Sequence, residues 1–317
     1  MQDATAIITL LLGAAVSYML FRRADLEAKR RAGLAEPASK SVNFSRLLRL
    51  LLLGCLALYL GICTFMAVEQ RHFIYFPQKL TRESEDQQAR AAGLERWTNL
   101  SGGFVGLKRP SPKQPAAGSV LIVYGNGSHA AGCAHYADDL QKVAAFDIFI
   151  LEYPGYADRS GSPSQSSLFH AADEAFQMLS TNRPIYLLGE SLGTGVAAYL
   201  TGAHPDKVAG AILLSPFDRL TSVAQSQYPF LPVPLLLLDR FPSADYLRRY
   251  HGPVGMTVDG GDTIVPEKFG LRLYSSYAGP KKLWEFPQGQ HTEIGVVPEK
   301  FWKEVVGFWQ TNRPSKM

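Results

Sequence analysis

The chain is poor in cysteine, with three in 317 residues. None forms a Cys-x-x-Cys pair, and no Cys/His cluster has metal-ligand spacing. A disulfide framework and a zinc centre are therefore not expected, and Cys55, Cys63 and Cys133 read as small apolar residues. Charge is scarce too, at 19% of residues, below the usual quarter or so. The net charge is only +4. Basic residues are not massed on one face of the folded part, which argues against nucleic acid as a partner. The N-terminus lacks the basic start of a signal peptide and reads Met1-Gln2-Asp3. No internal repeat or low-complexity segment is present.

Long apolar runs, by contrast, stand at the front. Ala4–Phe21 is uncharged and near the lower length limit for crossing a bilayer, and Arg22 and Arg23 follow it directly. Leu50–Val68 is uncharged, rich in leucine and long enough to cross about 30 Å of hydrocarbon as a helix. Between them lie Arg22, Arg23, Lys29, Arg30, Arg31, Lys40, Arg46 and Arg49, offset only partly by Asp25, Glu27 and Glu36. The positive-inside rule puts this loop in the cytoplasm and the rest of the chain on the extracytoplasmic side of a plasma or inner membrane. The alternative is a single true anchor, with the first run lying at the interface. Either way, residues 1–70 form an anchor region and 71–317 a globular domain tethered to it.

From about Arg96 the chain alternates short apolar runs with longer amphipathic stretches, the pattern of a mostly parallel sheet with helices on both faces. Ser119–Tyr124, Asp147–Tyr153, Ile185–Gly189 and Val208–Ser215 read as strands, with Val254–Val258 and Lys282–Phe286 as weaker candidates. Arg96–Leu100 and Phe104–Lys108 suit an antiparallel edge. Helical spacing marks Tyr136–Ala144, Ser166–Leu179, Leu192–Thr201, Glu267–Tyr274 and Glu299–Trp309. Pro216–Tyr250 breaks the alternation. It is too long for an ordinary connection and reads as a lid or pocket wall, or else as a packed surface loop with one buried helix.

Gly189-Glu190-Ser191-Leu192-Gly193 fits G-x-S-x-G between a strand and a helix. Such a sharp turn strains the serine backbone, and its flanking glycines remove clashing Cβ atoms. It lifts the serine oxygen to a helix N-terminus, where developing negative charge is favoured. A serine needs a base, and the base needs an orienting acid. Of the seven histidines, only His204, His251 and His291 follow Ser191. His291 sits in a glycine-bearing loop after the last strand, and Asp262 just after Val254–Val258. The expected triad is Ser191, Asp262 and His291, with Asp218 as the rival acid and His251 fitting only with Asp218. Asp259 falls too early in its loop. The expected oxyanion donors are the backbone N–H groups of Leu192 and of Asn126, the latter in Gly125-Asn126-Gly127-Ser128. No metal or organic cofactor is needed.

These residues resemble the serine hydrolases grouped with the α/β-hydrolase domain-containing proteins 13 and 17 and their bacterial relatives, from about Arg71 to Phe308. RHFIYFP is similar to that family's membrane-exit segment, YGNGS to its oxyanion loop and EYPGYADRSGSPS to its strand-and-turn. GESLG matches its elbow, DGGDTIVP its acid loop and GQH its histidine loop. Tyr124 departs from a usual histidine, and Ala157 and Asp158 from a usual glycine and its neighbour. The resemblance implies an α/β-hydrolase fold and hydrolysis of ester, thioester or sometimes amide bonds. The expected partners are an acyl ester or thioester, including a lipid or lipidated protein, and the bilayer. A serine peptidase or acyltransferase would use the same triad, and a silent membrane scaffold is the non-enzyme alternative.

Overall fold

The computed structural model describes residues 44–179, 182–291 and 298–313, with isolated positions between 17 and 32. The first apolar run therefore lies outside the described residues except at Ser17 and Phe21. The chain divides into two units, residues 1–60 and 61–317.

Helix α1, Phe44–Ile74, carries the second apolar run. Among the described residues it is the one helix long and apolar enough to cross a membrane. Its leucines face outward: Leu51, Leu53 and Leu58 are each more than half exposed, unlike the side chains of a core helix. The helix runs six residues beyond Val68, through Glu69-Gln70-Arg71-His72. Apolarity alone underestimates its length, because these polar residues are adequate helix formers. It stops shortly before Pro77, which disfavours helical backbone in the residue preceding it.

Eight strands form one sheet in the order β1-β2-β4-β3-β5-β6-β7-β8. They are β1 Glu95–Thr98, β2 Phe104–Arg109, β3 Gly118–Val123, β4 Phe146–Leu151, β5 Ile185–Glu190, β6 Val208–Leu214, β7 Val254–Asp259 and β8 Lys281–Phe286. β2 pairs antiparallel with β1 and β4, as the edge reading expected, and the other neighbours are parallel. β3, β6 and β7 are buried at every position. Strands covered on both faces need no polar alternation, hence the largely apolar runs of β3 and β6.

The helices after α1 are α2 Arg82–Ala91, α3 Ala134–Val143, α4 Gln165–Gln177, α5 Leu192–Ala203, α6 Leu220–Gln227, α7 Val233–Leu236, α8 Ser243–Leu247, α9 Glu267–Ser276 and α10 Glu299–Thr311. α3 packs on α10, and α5 packs between α4 and α8. Trp302 and Trp309 of α10 are fully buried. Trp309 Nε1 donates to Ala211 O at 3.1 Å, and its ring stacks on Tyr186 with centroids 4.7 Å apart. The stretch 216–250 holds three short helices, α6, α7 and α8, rather than one.

The register positions the site. Val123 pairs with Gly189, Glu190 with Leu214, and Asp259 with Phe286. The carboxyl ends of β3, β5, β6, β7 and β8 thus lie along one edge of the sheet. From β3 the chain moves outward to β4, then crosses back to β5 on the other side. The loops after β3 and β5 therefore flank the switch point where doubly wound sheets form a crevice.

Candidate active site

Ser191 occupies the turn between β5 and α5 with φ 48° and ψ −116°, a region that L-residues avoid. Its N–H donates to Leu214 O at 2.9 Å, and its carbonyl accepts from Thr194 Oγ1 at 2.6 Å. Gly193 shows why the elbow motif demands glycine. A Cβ there would lie 2.0 Å from Val123 O and 2.6 Å from Tyr124 O. Gly193→Ala must therefore push α5 off β3. It is expected to cost about 3 kcal/mol or more, seen as a Tm fall on the order of 10 °C in detergent. An unchanged Tm would mean the elbow is looser than drawn.

His291 lies after β8, and its Nε2 is 2.8 Å from Ser191 Oγ. Its Nδ1 is 2.6 Å from Asp262 Oδ2. The other Asp262 oxygen accepts from the N–H groups of Ile264 and Val265, each at 2.8 Å. This carboxylate is held by its own loop and aimed at the imidazole. Gly260 N–H donates to Phe286 O and Gly261 N–H to Gly289 O, both at 3.0 Å, stitching the acid loop to the histidine loop. Ser191 and Asp262 are buried. Asp218 is placed elsewhere, against Arg272 and Ser222 at 3.2 Å each, and His251 is exposed. Asp259 accepts from Ser215 Oγ at 2.7 Å.

Leu192 opens α5, where N–H groups lack intrahelical partners. Asn126 lines the same cavity as Ser191 and Leu192. Its side chain has a job that backbone reasoning missed. Its Oδ1 accepts from Phe76 N–H at 2.9 Å and Tyr156 OH at 2.8 Å, while Nδ2 donates to Ile74 O. Gln78 Nε2 also donates to Gly127 O. The chain leaving α1 is thereby tied across the loop after β3. Ala157, in place of the resembled family's glycine, adopts φ 41°. It is held by its N–H donating to Gln78 O at 2.7 Å.

Tyr124 accounts for its own departure from the resembled pattern. Its hydroxyl donates to Glu152 Oε1, and Ala130 N–H donates to Glu152 Oε2 at 2.9 Å. Both residues are fully buried. Burial pushes the Glu152 carboxyl up to about 8, while the bonds from Tyr124 and Ala130 pull it down.

A cavity of about 690 Å³ opens at Ser191. Its walls are overwhelmingly apolar. They come from the end of α1 (Met66, Phe73), from the 216–250 stretch (Phe217, Val223, Leu236) and from the acid loop (Ile264).

The comparisons agree with this architecture. Residues 118–250 match the family model described as the alpha/beta hydrolase fold. An uncharacterized protein of Mycobacterium tuberculosis, MT2364, is 31% identical over 240 residues, covering 74% of this chain and 84% of that protein. The chain belongs to the α/β-hydrolase family. Another relative is the lysophosphatidylserine lipase ABHD12 of Danio rerio, 30% identical over 189 residues. That match covers 52% of this chain and 48% of the lipase. Such a relative supports hydrolase activity. Among solved structures, the Pyrococcus furiosus esterase Pf2001 shares the fold at a TM-score of 0.55 and 14% identity, covering 76% of this chain and 98% of that one.

Proposed function

We propose that the protein is a membrane-anchored serine hydrolase cleaving carboxylic ester or thioester bonds of acyl, lipid-like substrates. The observation that carries this reading is the unbroken hydrogen-bond chain Asp262–His291–Ser191 opening into an apolar cavity. His291 Nε2 takes the Ser191 proton as Oγ attacks the acyl carbonyl. Asp262 holds the Nδ1–H tautomer and stabilises the imidazolium. Backbone N–H groups of Leu192 and Asn126 receive the oxyanion. The imidazolium protonates the leaving alcohol or thiol. Water, deprotonated by His291, then releases the acid.

In this reading residues 1–70 are the anchor region and 71–317 the hydrolase domain. The stretch 216–250 acts as a lid over the acyl site, and lipids or lipidated proteins are the substrates. Helix α1 is the membrane anchor, and the basic loop before it keeps the hydrolase domain on the extracytoplasmic side.

The test is fluorophosphonate labelling of the full chain in cells, using a membrane-impermeant probe with and without permeabilisation. Labelling of intact cells, lost in Ser191→Ala, is the expected result. Equal labelling of Ser191→Ala would refute the nucleophile, and labelling only after permeabilisation would reverse the topology.

A further inference from the structure

Large apolar side chains lining the cavity or next in the chain to its lining are left open to water. Phe73, Phe76, Tyr228 and Ile264 line the cavity, yet each is between 42% and 58% exposed. Phe230, Leu235 and Leu238, next in the chain to the lining residues Leu231, Leu236 and Leu237, are exposed by 66–81%. Single exposed apolar residues are ordinary, but a cluster of them beside one cavity, here called the collar, marks a surface with a partner.

The partner follows from depth. The uncharged part of α1 ends at Val68, and Glu69, Arg71 and His72 are the first charged or titratable residues after it. Phe73 lies five positions beyond Val68, about 7 Å further along the axis at 1.5 Å per residue. The headgroup layer on each side of the hydrocarbon is roughly 5–7 Å thick. Phe73, in the last turn of α1, thus falls at the outer edge of that layer, where apolar and aromatic side chains meet the interface.

The 216–250 stretch is locked to the same level. Gln70 Nε2 donates to Leu236 O at 3.2 Å, and Leu238 N–H donates to Gln70 Oε1 at 2.7 Å. Arg71 Nε and Tyr75 OH both donate to the buried Asp239 carboxylate, at 3.2 and 2.9 Å. These bonds hold Leu235 and Leu238 beside the turn of α1 that leaves the hydrocarbon.

We infer that the collar is seated in the headgroup layer of the bilayer that α1 crosses, and that an acyl chain passes from lipid into the cavity without crossing water. The inference rests on the serine-hydrolase reading and on α1 as the anchor. In it, α1 and the lid stretch together build the portal, so the anchor is part of the substrate site.

The test uses the full chain reconstituted in phosphatidylcholine vesicles. The triple variant Phe230→Ser, Leu235→Ser, Leu238→Ser replaces collar residues that do not line the cavity. Because α1 still anchors it, the variant loses seating and not recruitment. Turnover of a long-chain acyl ester carried in the vesicles is expected to fall about tenfold or more, as interfacial binding scales with the apolar area buried. Turnover of a water-soluble butyrate ester is expected to stay within about twofold of the parent. Unchanged vesicle turnover overturns the inference.

A second readout does not depend on catalysis. Tryptophan emission from Leu235→Trp, measured against the parent, is expected to be quenched by phosphatidylcholine brominated high on its acyl chains. Absence of quenching overturns the inference, even if the triple variant loses both activities through misfolding. If the parent hydrolyses neither ester and resists fluorophosphonate, the hydrolase reading fails, while quenching still decides whether the collar meets lipid.

Discussion

His291→Ala is expected to lower kcat/KM for a p-nitrophenyl acyl ester about a million-fold, and Ser191→Ala by a similar factor. The double variant should be hardly worse than either single one. In the proposed mechanism the proton leaves Ser191 Oγ only for a base 2.8 Å away, so the two groups act as one device and their effects do not multiply. Asp262→Asn should cost on the order of ten-thousand-fold, by presenting the wrong tautomer to attack. Asp218→Asn should stay within a few-fold, because that carboxylate faces Arg272 and Ser222. Steady-state kinetics on purified full chains in detergent decide the matter. Multiplying losses in the double variant, or a larger loss from Asp218 than from Asp262, would break the assignment.

The central parallel strands are legible because burial on both faces leaves largely apolar runs, and Ser191 because a strand-to-helix elbow tolerates so few sequences. The Asp262 and His291 positions follow from the order of strands, since the loops after β7 and β8 lie on the same edge as Ser191. Other features leave no periodic trace. Helix α2 is polar on nearly every side, and its local signal is Thr81, whose Oγ1 accepts from Ser84 N–H at 3.2 Å. The α1 extension hides in polar residues, and its Gln70 bonds join positions 166 and 168 residues apart. The Asn126 side chain likewise reaches Ile74 and Phe76 through space. Long-range polar bonds of this kind carry no spacing that a single sequence displays. In the 216–250 stretch, prolines at 229, 232, 234 and 242 cut the chain into short helices whose apolar residues serve a cavity instead of one amphipathic face.

The second large effect concerns stability against pH, and it arises behind the loop that carries Asn126. Glu152 is wholly buried, and desolvation pushes its carboxyl up to about 8 from an ordinary value near 4.5. Glu85, also fully buried, is pushed up to about 7 by burial and then by Asp158. Arg96 and a backbone N–H at Ala131 pull it down in part. Below pH 4.5 both states hold the Glu152 proton. Between 4.5 and 8 the folded state keeps a proton that the unfolded chain has released, so stability falls as pH rises and levels off above 8. At about 1.4 kcal/mol per pKa unit, Glu152 alone accounts for roughly 3–5 kcal/mol across that window. Glu152→Gln cannot ionise. Its amide oxygen can accept from Ala130 N–H, while its NH₂ faces Tyr124, whose hydroxyl can rotate to receive it. Denaturant midpoints from pH 5 to 8 should therefore fall steeply in the parent and more gently in Glu152→Gln, with the amide variant the more stable at pH 8. Parallel curves would mean that Glu152 is ionised throughout. Ala130 N–H, four residues past Asn126, donates to Glu152 Oε2, and this bond favours the carboxylate, so ionising Glu152 costs burial without loosening that contact.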